Sequence, residues 1–113
     1  FHVHAGDGCS SLLGGAPDSC ADVVETRRVS TIPLSHVLGN WLGGRRVDYL
    51  KIDAQGADLD ILESAGDLLK NVVSVSVELP SDDARGKYDG ELGCTDALER
   101  LESKFGLKAV GAK

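Results

Sequence analysis

Methionine is absent and aromatic side chains are scarce, with one Trp, two Tyr and two Phe spread over 113 residues. A core made from such a chain is aliphatic and thin. Three cysteines, Cys9, Cys20 and Cys94, form an odd set without the spacing of a metal site or a disulfide framework. Cys9 and Cys20 would bridge only in an oxidising compartment, and free thiols are expected. No apolar run approaches the roughly 20 residues that a membrane-spanning helix needs. Basic clusters are missing too: beyond Arg27-Arg28 and Arg45-Arg46 no Lys or Arg residues gather, and the net charge is −6. This balance argues against nucleic acid and anionic membrane surfaces as partners. The chain starts at Phe1 with no signal or transit pattern, so it reads as a mature form, an excised domain or a fragment.

What is present is enough for one core. A hydrophobic content of 42% over this length supports a single small domain or part of a larger one, and 14 glycines make it rich in loops. The stretch "FHVHA" alternates like a short strand, positions 6–20 are dense in turn formers, and "VETRRVSTI" (24–32) reads as an edge or crossover strand anchored by Val24, Val29 and Ile32. A helix is predicted after Ser30 or Thr31 as cap, with Pro33 in its first turn and Gly43-Gly44 as its stop. Its apolar face is Leu34, Val37, Leu38, Trp41 and Leu42.

"VDYLKIDA" (47–54) reads as a central strand. The following helix, from about Ala57 to Leu69, lines up Ile61, Leu62, Ala65, Leu68 and Leu69, with Asp58 and Asp60 in the first turn where the helix dipole favours negative charge. In "NVVSVSVELP", Val73, Val75 and Val77 alternate with Ser74, Ser76 and Glu78 until Pro80 stops the strand. A polar loop, "SDDARGKYDGELG", leads to a helix capped by Thr95 or Asp96, carrying Leu98, Leu101 and Phe105 and ending at Gly106. "LKAV" is a possible closing strand. Strands alternating with helices imply a mostly parallel sheet with helices on its faces, which would set Asp53 and Glu78 on one rim above one crevice.

Three segments, "VSTIPLSHVL", "VDYLKIDAQGADLDILESAG" and "VVSVSVELP", resemble in order and spacing the carboxyl-terminal half of the FkbM family of S-adenosylmethionine-dependent methyltransferases. "GCSSLL" at 8–13 is similar to a small serine-rich turn earlier in that family. Relatives of this kind most often carry Glu where this chain has Gln55, which still donates and accepts hydrogen bonds. The resemblance implies an α/β fold: a partial Rossmann-like, methyltransferase-type sheet with flanking helices, lacking the N-terminal half that holds the cofactor. The glycine-rich turn after a first strand is not found, and "AGDG" (5–8) lacks the strand-turn-helix setting to replace it.

By that resemblance Asp53, Lys51 and Gln55 are the candidate catalytic residues, and Asp53, Glu78 and Gly56 the candidate cofactor contacts. Asp53 would orient an acceptor hydroxyl or take its proton. Against this stand blander readings: Asp53 as a helix cap, Lys51 as a snorkelling strand residue, Glu78 as a solvated carboxylate and Gly56 as the residue that lets the chain turn. His2, His4 and Cys9 include metal-ligating types without paired spacing, and the acidic loop at 81–91 lacks calcium-loop order, so no metal is expected.

Two functions follow. One is O-methyl transfer from S-adenosylmethionine to a small-molecule or glycan acceptor, provided that the N-terminal half exists. The alternative is a non-catalytic remnant serving as an accessory subunit, whose open sheet edge would recruit another protein chain. The 113 residues by themselves are not expected to catalyse.

Overall fold

The computed structural model describes residues 1–6, 8–17, 19–83 and 88–111. Its element order is β1 (His2–His4), β2 (Val23–Thr26), α1 (Leu34–His36) running into a π turn (Val37–Trp41), β3 (Leu50–Ile52), α2 (Asp58–Glu63), a 3-10 helix (Gly66–Asn71), β4 (Val75–Val77) and α3 (Cys94–Phe105). The result is a mixed α/β fold. Two separate two-stranded sheets are present among the described residues, β1 with β2 antiparallel and β3 with β4 parallel. The expected mostly parallel arrangement is thus confined to the second pair.

Leu38, Ile52, Leu62, Ala65, Leu69, Val72 and Leu101 form the buried core, with Val75 and Val77 packed against it from β4. The apolar stripe predicted from Ala57 to Leu69 is the centre of this core, although the helix is not continuous. Helix α2 ends at Glu63, and Gly66, at φ 53°, starts the 3-10 turn that carries Leu69 back onto the same side. Burying side chains of this size is worth about 1.5–3 kcal/mol each, so the stripe dominates the stability of the domain.

Several expectations need correcting. Val24, Val29 and Ile32 are half exposed or more and anchor nothing: among the described residues β2 pairs with β1 alone, and all four of its residues are exposed. The helix after Pro33 begins at Leu34 without a Ser30 or Thr31 cap. Its Leu34 N–H donates instead to Ser64 Oγ at 2.8 Å, across from α2. Leu42 N–H then donates to the Val37 carbonyl at 2.9 Å, inserting an extra residue into the turn. That wider turn rotates Trp41 and Leu42 off the face that buries Leu38, and Trp41 is 66% exposed, edge-on to His36.

Val73 is likewise exposed, since the 3-10 helix delivers Val72 to the core and the alternation restarts only at Val75. At α3, Gly93 occupies the cap position, and the orphan N–H of Thr95 is taken by Asp82 at 2.9 Å rather than by Thr95 or Asp96. Gly106 ends this helix in the left-handed conformation, as its position predicts. "LKAV" forms no strand: Leu107 packs on the core while Val110 is fully exposed.

The free-thiol expectation fails for two of the three cysteines. Cys9 and Cys20 form a disulfide with Cα atoms 5.8 Å apart. Backbone hydrogen bonds between His2 and Ser11 and the β1–β2 pairing fold the intervening loop back on itself, which brings the two cysteines within bonding range. Cys94 is the free thiol. Among the described residues no helix is long and apolar enough to cross a membrane.

Candidate functional site

Parallel pairing of β3 with β4, in the register Ile52 to Val77, places Asp53 and Glu78 side by side just beyond the carboxyl ends of the strands. The two carboxyl groups are close enough to act on each other directly. Their environments pull their proton affinities apart. Asp53 Oδ2 accepts from Lys51 Nζ at 2.9 Å and Oδ1 accepts from Gln55 Nε2 at 3.1 Å. The Lys51 contact above all, then the bond from Glu78, holds the Asp53 carboxyl below the ordinary range. Glu78 is raised, first by its bond to the Asp53 carboxylate, then by partial desolvation and the nearby charges of Asp53 and Asp58. Glu78 is therefore the member that keeps the proton longer.

Asp58 fastens this junction together. Only 2% exposed, it accepts the Ala54 N–H at Oδ2 (3.1 Å) and the Glu78 N–H at Oδ1 (3.2 Å), so one carboxylate ties the end of β3 to the end of β4. The predicted role of Asp58, favourable charge in a first helical turn, is the lesser part of what it does. It also explains why Asp53 is not a helix cap: the helix starts five residues later, at Asp58.

Between the strand and α2 the chain makes a tight turn through Gln55 (φ 48°) and Gly56 (φ 97°). A left-handed glutamine is strained, and Ser11 holds it by donating from Oγ to the Gln55 carbonyl at 2.6 Å while accepting the Leu13 N–H at 3.0 Å. Gly56 is needed twice over. Besides its φ, a Cβ there would sit 3.0 Å from Leu13 Cδ1 and 3.1 Å from the Tyr88 ring.

Tyr88 closes the other side of the turn. It is 6% exposed, and its hydroxyl lies 3.0 Å from the Cys9 carbonyl and 3.3 Å from Gln55 Oε1. Burial, followed by the charges of Glu91 and Glu78, pushes the phenol up from its usual value. A groove of about 330 Å³ runs past these residues, lined by the Cys9–Cys20 disulfide, Gln55, Gly56, Glu78, Tyr88 and Glu91. A neighbouring cavity of about 180 Å³ shares Gly56, Glu78 and Glu91 and adds Asp58 and Arg100.

Of the residues singled out from the sequence, Gln55, Gly56 and Glu78 line the groove, whereas Lys51 and Asp53 do not: Asp53 accepts from Gln55, and Lys51 in turn donates to Asp53. Lys51, on β3, and Asp53, just past its end, form an exposed ion pair. His2, His4 and Cys9 do not assemble: His4 Nδ1 lies 2.5 Å from the Ala21 carbonyl, and Cys9 is disulfide-bonded. No cluster of three metal-ligating side chains occurs among the described residues.

Ser11 and Tyr88 were missed as site residues, and Asp58, one of the polar residues of the strand-to-helix junction, was read only as first-turn charge. Ser11 had a signal through its place in "GCSSLL"; Tyr88 lay in a loop read as solvated, of which residues 84–87 lie outside the described set. Compared with curated proteins and with solved structures, the chain finds no match. The family model of the Methyltransferase FkbM domain, by contrast, matches residues 5–100. That span takes in the disulfide loop, the Asp53–Glu78 rim, the groove and most of α3, and the chain belongs to the FkbM methyltransferase family.

Proposed function

We propose that this chain is the acceptor-side portion of an S-adenosylmethionine-dependent O-methyltransferase, with β3 and β4 as two strands of a Rossmann-like sheet. One observation supports this above the others. Two carboxyl groups of unequal proton affinity stand at the carboxyl ends of parallel strands, with one of them, Glu78, opening onto a groove; such strand ends are where open α/β sheets bind their ligands.

The donor set suits the cofactor in its chemistry. S-adenosylmethionine would supply an electrophilic methyl group on a cationic sulfonium, and the acidic rim of Glu78 and Glu91 favours positive charge. Glu78 and the Gly56 backbone would be the contacts. A groove of about 330 Å³ is at the small end of ligand sites, which run from roughly 300 to 1,000 Å³, so the remaining wall would come from an upstream part of the domain or from a partner chain.

Methyl transfer to oxygen is an in-line displacement, in which the protein mainly positions the reactants. Asp53, anchored by Lys51 and Gln55, stands behind Glu78 and would orient the acceptor hydroxyl through it. Glu78, the stronger base of the pair when ionised, would take the proton that the acceptor hydroxyl gives up. The acceptor would be a hydroxyl-bearing small molecule or glycan.

The test is calorimetric titration of the longest natural form of the protein with S-adenosylmethionine. Saturable heat close to one equivalent per chain is expected. No heat would overturn the proposal.

A further inference from the structure

We propose that Tyr88 is a positioning residue for the Asp53–Glu78 pair, acting through the side-chain amide of Gln55. The inference deepens the methyltransferase reading and rests on it for its functional meaning, but the geometry stands independently. Two hydrogen bonds run in series to the pair. The Tyr88 hydroxyl is 3.3 Å from Gln55 Oε1, and Gln55 Nε2 donates to Asp53 Oδ1 at 3.1 Å, beside the Glu78 carboxyl on the neighbouring strand end. The relay begins in the buried wall of the groove and ends at its carboxyl rim.

An amide suits both of these ends. Gln55 offers an acceptor to a hydroxyl and a donor to a carboxylate at once, whereas a carboxylate in its place would have no proton for Asp53. The amide also has little freedom to wander. The Gln55 backbone is held in the left-handed region by Ser11, and the Tyr88 ring packs against Gly56 so closely that a Cβ would not fit between them.

Tyr88 in turn is fixed by the Cys9 carbonyl at 3.0 Å and by its own N–H, which donates to Glu91 Oε2 at 3.0 Å. Its single hydroxyl proton is shared between Cys9 and Gln55. The other groups that bear on the pair are Lys51 from β3, which itself feels Tyr49, and Asp58 at the start of α2; those facing Tyr88 are Glu78 and Glu91. None of these contacts Gln55 Oε1 among the described hydrogen bonds, so the Tyr88 hydroxyl alone orients that end of the amide.

The experiment is a double-mutant cycle read by carbon-detected NMR titration of the Asp53 and Glu78 carboxyl groups in the 113-residue chain. Tyr88→Phe keeps the ring and removes the hydroxyl. In the otherwise natural chain it is expected to raise the Asp53 midpoint by about half a pH unit, roughly a threefold change in proton affinity, and to lower that of Glu78. In a Gln55→Ala background the same substitution is expected to move neither. Unchanged midpoints in the first background, or an equal shift in both, would overturn the proposal.

If Tyr88→Phe fails to fold, the unsubstituted chain still decides. The Gln55 side-chain amide protons should be protected from solvent exchange and should shift with the Asp53 titration; freely exchanging amide protons overturn the relay. These readouts need no cofactor. A failed cycle with intact S-adenosylmethionine binding removes Tyr88 from the mechanism, while an intact cycle without binding removes the methyltransferase reading instead.

Discussion

Asp58→Asn is a change of one atom type, and the structure gives it a large effect. The Asp58 carboxylate has two acceptor oxygens, each meeting a different backbone N–H, Ala54 at 3.1 Å and Glu78 at 3.2 Å, in a position 2% exposed. Asparagine keeps one acceptor and turns the other into a donor that faces an N–H. One charge-assisted bond is lost, at about 1.5–3 kcal/mol, and one N–H is left buried without a partner. The expected destabilisation is about 2–4 kcal/mol, a large share of the 5–15 kcal/mol typical of a whole domain. Urea unfolding followed by circular dichroism would show a lower midpoint with an unchanged slope. Amide exchange at Ala54 and Glu78 should accelerate beyond the global change, because these two groups lose their acceptors. Asp60→Asn, on the exposed side of the same turn, is the control and should stay within about 0.5 kcal/mol. If Asp58→Asn proved as mild as Asp60→Asn, the view of Asp58 as the clamp between β3 and β4 would be refuted.

Gly56→Ala combines a positive φ with a Cβ at 3.0–3.1 Å from Leu13 and Tyr88, and should cost about 1–3 kcal/mol, measured by the same urea assay. Reducing the Cys9–Cys20 disulfide, or replacing both residues by Ser, removes a cross-link with a sequence separation of 11 and should cost about 2–3 kcal/mol, with the largest exchange increase around Ser11 and Gln55. Glu63 joins α2 to α3 through Arg100 and Lys104. Desolvation pushes its carboxyl up, but the bonds and charges of Lys104 and Arg100 outweigh it, leaving the folded value below the unfolded one. The contribution is therefore complete above the ordinary glutamate range and is lost as the pH falls through the lower folded value; Glu63→Gln should flatten that acid limb of a stability-against-pH curve, and an unchanged limb would contradict the assignment.

Local signals read well where the partner of a residue lay in its own segment. The Ile61 to Leu69 stripe, the glycine stops at Gly43-Gly44 and Gly106, and the short strands around Lys51 and Val75 were all legible, since period and turn chemistry act over a few residues. Trp41 misled for a local reason of another kind. One extra residue in the turn after Val37 shifts everything downstream around the helix, and hydrophobic spacing carries no mark of where a turn will widen.

Contacts made at long range were not legible. Asp82 caps a helix 13 residues away, Tyr88 reaches a carbonyl 79 residues back, and Ser11 supports a turn 44 residues ahead. The Cys9–Cys20 bond belongs here as well, since it depends on how β1, Ser11 and β2 fold the loop. Nothing in the composition of these segments encodes their meeting, because it is set by packing.

The sequence by itself determined the aliphatic core, the strand-to-helix junction at Lys51–Gly56 and the resemblance that led to the family. Side-chain period and glycine conformation are properties of neighbouring residues, and they survive without a fold. Alternation of strands and helices already set Asp53 and Glu78 on one rim; only the tertiary structure decided the register in which they meet, that Asp58 clamps their strands and that Tyr88 backs Gln55. Parallel strands from separate segments meet in one register alone when the core closes over Leu62, and that closure positions the chemistry.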